Sequence, residues 1–120
     1  MSGAEFERTS RGGCRMAHSI GIRPRARLDV VELAAYIGQD SVTAANRFLD
    51  ACEATFEFLA ESPQIGAIYP TKNPRLVGVR VFRVKRFPSH LAFYLERHNA
   101  IEIVRVVHGA RDLDAVLKND

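Results

Sequence analysis

The sequence predicts an α+β domain in which an antiparallel two-helix hairpin packs on an antiparallel sheet. Three observations carry that prediction. Two apolar stripes at helical spacing run from Val30 to Leu59 with a short polar break between them. Three strand-like segments, VFRVKRF, HLAFYLE and IEIVRVVHG, follow one another between Val79 and Gly109. A further short strand candidate stands ahead of the helices at His18–Arg23.

Each element has its own signal. In His18–Arg23, Ile20 and Ile22 alternate with smaller or polar neighbours until Pro24, whose ring removes a backbone donor. Beyond the proline, Val30, Leu33, Ala34 and Ile37 form one stripe, with Arg25, Asp29 and Glu32 off it. Gly38 supplies a left-handed stop, and Asp40 or Ser41 the cap of a second helix. That helix carries Ala45, Phe48, Leu49, Cys52, Phe56 and Leu59 on one face until Ser62-Pro63 ends it. So short a connection predicts antiparallel neighbours.

Gln64–Gly78, with Pro70, Pro74, Gly66 and Gly78, reads as a loop that Tyr69 anchors to the core. From Val79 to Arg86, strand alternation sets Phe82 and Val84 on one face and Arg83 and Lys85 together on the other. Phe87-Pro88-Ser89 reads as the next turn. The strand His90–Glu96 follows, with Leu91, Phe93 and Leu95 on one face, and then a hairpin turn at Arg97–Ala100 in which Asn99 tolerates positive φ. Ile101–Val107 is apolar on both faces apart from Glu102 and Arg105, as a central strand requires. Gly109 ends it, and Asp112–Leu117 predicts a closing turn of helix.

The 120 residues form one domain, residues 18–120, behind an N-terminal tail, residues 1–17. The tail mixes Gly, Ser, Arg and Glu without periodicity or the apolar core of a secretion signal. Disorder is expected there, and the first element begins soon enough after Met16 to make Met16 a candidate translation start. An apolar fraction of 47% beside 26% charged residues is that of a soluble globular chain, and no run approaches the roughly 20 apolar residues of a membrane helix. Cys14 and Cys52 suggest neither a disulfide framework nor a metal site, and the four histidines lack ligand spacing. No metal or organic cofactor is expected, and a reducing cytoplasm is the expected compartment.

Charge is unevenly distributed. Lys72, Arg75, Arg80, Arg83, Lys85, Arg86 and Arg97 face a single acid, Glu96, between positions 72 and 97, whereas acids predominate across the helices. A phosphate, an acidic protein segment or plain water is a suitable neighbour for such a surface.

The segments RARLDVVELAAYI, ANRFLDACEATFEFLAESPQIG, VRVFRVKRFPSHLAFYLE and IEIVRVVHGARDL, in this order, resemble the RelE/ParE superfamily of toxins from type II toxin-antitoxin modules. The resemblance covers roughly Ile20 to Leu117, and its most specific part is the V-H-G-A-R-D-L ending. It implies a growth-arresting toxin neutralised by a cognate, ParD-like antitoxin in a hetero-oligomer. Two activities occur in the superfamily. In the RelE-like branch, ribosome-dependent mRNA endonucleases, Arg83 and Lys85 match two basic positions, Arg111 approximates a third, and His108 is a candidate base. The third-strand basic position falls near Leu91, however, and the C-terminal tyrosine of that group has no counterpart around Val116-Leu117.

These departures favour the ParE-like branch, which poisons DNA gyrase and is not a nuclease. The resemblance then implies that Arg80, Arg83, Lys85, Arg86, Arg105 and Arg111 bind the target or the antitoxin. Such an antitoxin is expected on the helical hairpin and the basic strand face, through an amphipathic helix and an added strand. The chain shows no DNA-reading element, so operator DNA is expected to be met only through the antitoxin.

Overall fold

The computed structural model describes residues 18–120, so the expectations for the tail and for the Met16 start lie outside the described residues. Strand β1 (Ser19–Ile22) leads into helix α1 (Pro24–Gly38) and helix α2 (Val42–Glu61). A two-residue strand β2 (Ala67–Ile68), a single 3-10 turn (Pro74–Leu76) and strands β3 (Arg80–Val84), β4 (Phe87–Arg97) and β5 (Ala100–His108) follow. Helix α3 (Leu113–Leu117) closes the chain. The sheet order is β1-β5-β4-β3-β2, antiparallel except where β1 joins β5 in parallel, from Ser19 opposite Ala100 to Ile22 opposite Ile103. The expected fold is present, with the sheet mixed rather than wholly antiparallel and β5 an interior strand between β1 and β4, as its two apolar faces require.

The helices form where the stripes place them. Pro24 opens α1 at the first helical position, where its missing N–H costs nothing, and the Ser41 side chain accepts from Ala44 N at 3.0 Å to cap α2. Gly38 differs from expectation: it is the last residue of α1, and only Gly78 among the described glycines has positive φ. A Cβ at Gly38 would lie 3.5 Å from that of Ala45, an ordinary contact distance, so neither backbone conformation nor packing requires glycine there.

Both faces of the sheet are buried. Ala26, Ala34, Phe48, Cys52, Phe56 and Leu59 of the hairpin pack on Val84, Ala92, Tyr94, Ile101, Ile103 and Val106. Each fully buried Phe or Leu in that layer stabilises the fold by about 1.5–3 kcal/mol. The opposite face, Phe93, Leu95, Val104 and Val107, is covered by Leu76, Val79, Val116 and Leu117 from the loop and α3. Tyr69 anchors that loop as expected, its ring edge-on to Phe93 at 5.3 Å and its hydroxyl donating to Asp114 Oδ1 at 2.7 Å. The bond to Asp114, followed by burial, pushes the Tyr69 phenol up to about 12. An incoming helix therefore has no open sheet face to lie on, because the chain's own C-terminal segment occupies it.

Two irregularities decide which side chains face where. Phe93 pairs with Arg105 but Tyr94 with Ile103, so Val104 is an inserted residue without a partner on β4. Between β3 and β4, Arg83 pairs with Leu91 and Val84 with Phe87, leaving Pro88, Ser89 and His90 opposite no residue of β3. Proline is tolerated there because no β3 carbonyl awaits its absent N–H. The turn is consequently at Lys85-Arg86, with Arg86 at φ 68°, and not at the expected Phe87-Pro88-Ser89.

Candidate functional site

The predicted cations occupy different environments. Arg83, on β3, is exposed and alternates with Phe82 and Val84, which pack toward the hairpin, so it belongs to the face of Val81. Lys85 is also exposed but lies in the turn, where strand alternation has stopped, and its Nζ sits 4.2 Å from the centre of the Phe58 ring of α2. The two cations therefore do not project together, contrary to the alternation argument.

Arg86 is exposed at the tip of the same turn, and Arg111 is exposed in the turn after β5, its amide donating to His108 O at 3.1 Å. Arg83, Lys85, Arg86 and Arg111 form no ion pair with another described residue.

The other two predicted cations are spent inside the molecule. Arg80 Nη1 donates to Gly66 O at 2.7 Å and to Gln64 O at 3.2 Å, tying down the segment that leads into β2. Arg105 is 6% exposed. It donates from Nε and Nη2 to Asp29 at 2.7 and 3.1 Å and from Nη1 to Asp120 Oδ2 at 2.9 Å. Burial by itself would lower the Arg105 pKa, but the bonds to Asp29 and Asp120 outweigh it and the net shift is upward. Arg105 is thus withdrawn from the surface expected of it, because α1 and the C-terminal residues close over the bulged end of β5.

Asp29, placed off the apolar stripe by sequence, is 4% exposed and also accepts from Val106 N at 3.0 Å. Beyond Ile22, β1 no longer covers the edge of β5, and the Asp29 carboxylate takes up the backbone donor left there. Any sequence signal for this role is indirect: an acid in the second turn of a helix, and, in a distant strand, an arginine whose only polar companion between Ile101 and Val107 is Glu102.

Two histidines face each other across β4 and β5 at this end of the sheet. His90 pairs with His108, their rings 5.1 Å apart, and the His90 ring also packs 5.0 Å from Phe48 and 6.2 Å from Phe87. His90 Nδ1 is buried without a hydrogen-bond partner, and burial, then the neighbouring His108, lowers its pKa. His108 Nδ1 already accepts from Ala110 N at 3.0 Å. Among the described residues no group of three or more His, Cys, Asp or Glu is arranged to hold a metal ion. Cys52 is buried in the helical layer, where desolvation raises its thiol to about 12 and leaves it protonated. No described helix is long and apolar enough to cross a membrane.

The exposed cations are Arg83 on β3, Lys85 and Arg86 in the turn after it, and Arg111 in the turn after β5. Comparison with known proteins places that architecture. No curated protein sequence matches the chain. Among solved structures it is similar to a chain from a chromosomal ParDE toxin-antitoxin system of P. aeruginosa, with a TM-score of 0.61 and 19% identity over 78% of this chain and 97% of that one. At that identity the likeness establishes the shared fold. The model of the family described as "ParE toxin of type II toxin-antitoxin system, parDE" matches residues 20–113, from β1 to the start of α3. By that match the chain belongs to the ParE toxin family of type II toxin-antitoxin systems.

Proposed function

We propose that the protein arrests growth by poisoning DNA gyrase, using Arg83, Lys85, Arg86 and Arg111 as recognition cations, and that a cognate ParD-like antitoxin neutralises it in the cytoplasm. The observation that carries this reading is that these four exposed cations, on two adjacent turns and a strand, have no acidic partner among the described residues. Unpaired surface cations of this kind steer and orient an acidic or phosphate-bearing partner.

Nuclease chemistry is less well served by the geometry. The Lys85 ammonium is turned onto Phe58, away from the face of Arg83, and the Nδ1 lone pair of His108 is engaged by the Ala110 amide. For the antitoxin, the outer surface of the hairpin supplies the matching feature. Leu28, Val31, Val42 and Leu49 are between 40% and 70% exposed there, an apolar surface for an amphipathic helix.

Pulse labelling after induction of the chain without antitoxin tests the target. Thymidine incorporation should fall first while methionine incorporation persists, and purified protein should inhibit gyrase supercoiling. An early fall in methionine incorporation, with mRNA cut in a translating extract, would replace this reading by the ribosome-dependent endonuclease.

A further inference from the structure

We infer that Thr55, a buried residue of α2, is the positioning residue of the basic Lys85-Arg86 turn, so that presentation of the turn is set by the helical layer. The inference rests on the reading of the turn cations as recognition groups. Thr55 is fully buried, and its hydroxyl donates to Ala51 O at 2.6 Å. That bond alone satisfies a threonine inside a helix. The same oxygen also accepts from the backbone N of Lys85 at 3.0 Å, thirty residues away in sequence.

The turn needs such a hold. Arg86 at φ 68° is in the left-handed region without being glycine, a conformation that costs on the order of 1 kcal/mol or more and persists only where surrounding structure fixes it. The Val84–Phe87 pair closes the turn, but the next three residues of β4 have no β3 partners, so the ladder behind it is interrupted. Helix α2 supplies the missing fixation at three points. Thr55 holds the Lys85 amide, Phe58, one turn further along the helix, lies under the Lys85 ammonium at 4.2 Å, and Phe48 meets Phe87 edge-on at 5.1 Å. Thr55 does not reach the surface, so its contribution to recognition passes through the backbone that aims Lys85 and Arg86.

The test compares Thr55→Val, which keeps volume and β-branching but has no acceptor, with Thr55→Ser, which keeps the hydroxyl. Phe58→Leu removes the ring under Lys85 and leaves Thr55 intact, and Arg83→Ala, Arg86→Ala and Arg111→Ala probe the cations directly. Two readouts are taken on the full chain: hydrogen exchange of the Lys85 amide, and the dose that arrests growth at matched amounts of soluble protein.

Loss of one hydrogen bond should speed Lys85 exchange about fivefold or more in Thr55→Val, while Thr55→Ser and Phe58→Leu retain protection. Potency should fall about tenfold in Thr55→Val and stay within about twofold of the parent in Thr55→Ser, as expected when recognition groups are misplaced. Equal loss of Lys85 protection in Thr55→Val and Phe58→Leu would indicate general loosening of α2 and overturn the assignment. Full potency in Thr55→Val beside a weakened Arg86→Ala would overturn it while leaving the cation reading intact. Full potency in all three arginine variants would remove the cation reading and the inference together.

Discussion

Asp29→Ala should be among the most damaging single changes in the chain, and its cost can be worked from the contacts. The substitution removes two charge-assisted bonds to Arg105, at 2.7 and 3.1 Å, and the acceptor for Val106 N at 3.0 Å. It also removes the Arg25 contact at 3.2 Å, which is half in solvent and adds little. The Asp29 and Arg105 side chains are 4% and 8% exposed, so solvent does not screen the loss. Breaking one side of a buried ion pair costs about 3–5 kcal/mol, mainly because the other charge is left without its counterion. Asp120 still neutralises Arg105 from the other side, which sets the expectation at the lower end, about 3 kcal/mol. For a domain of this size that is a fall in Tm of roughly 10–15 °C. Urea denaturation followed by circular dichroism at pH 7 measures it, with the double variant Asp29→Leu/Arg105→Met as the control. The double variant should recover part of the loss, because the Arg105 charge goes with its Asp29 partner; Asp120, with its side chain 17% exposed, then loses its cation but keeps some contact with water. A loss below about 1 kcal/mol in Asp29→Ala, or a double variant as unstable as the single, would refute the ion-pair argument.

Acid should weaken the basic end of the sheet through His90. Its pKa is lowered in the folded state, so the stability this group contributes is complete above the unfolded value near 6.5 and is lost as pH falls below it toward the folded value. Denaturation midpoints should therefore drop between pH 7 and pH 5 in the parent and drop less in His90→Leu; parallel slopes would rule His90 out. The Glu102 carboxyl, held low by its bond to Arg23 and then by Arg97, acts only in a more acidic window and does not confuse the comparison. Tyr94→Phe should cost about 1–3 kcal/mol, because the Tyr94 hydroxyl accepts from Gly66 N at 2.9 Å and donates to Pro63 O at 2.8 Å. Gly66→Ala should be at least as damaging in the same urea titration, since its Cβ would stand 2.6 Å from that hydroxyl and 3.0 Å from Val81 O.

Most of the architecture was legible because it rests on periodicity and on caps that act locally. The Pro24 start, the Ser41 cap, the Ser62 stop and the interior position of β5 all follow from residues within a few positions of the feature. The errors arise where a distant part of the chain decides. The alternation of VFRVKRF carries the strand through Lys85, yet the hydrogen bond that the Lys85 amide donates to Thr55 Oγ1 and the positive φ of Arg86 go with a strand that ends at Val84. Arg105 looked like a surface cation because nothing near it in sequence announces Asp29, seventy-six positions earlier, or the closing C-terminal segment. The β2 pairing escaped for a different reason: two residues carry no period, and only the backbone of β3 makes Ala67-Ile68 a strand. Within the candidate site, residue identities gave the cations, while their directions depended on the two bulges, which leave no mark in an apolar pattern.

The parallel pairing of β1 with β5 also bears on how the protein is made. Arg23 bonds to Glu102 across 79 positions, and β1 has no described ladder partner other than β5, so β1 cannot join the sheet until residues 100–103 have been synthesised. At ordinary elongation rates the ribosome needs about 4–16 s to travel from the codon for Ile22 to that for Ile103. Throughout that interval β1 has no strand to pair with, while the hairpin and then β2, β3 and β4 are made. In a chain built in this order, the surface that β5 and the turn after it form together with β1 exists only once β5 has been made.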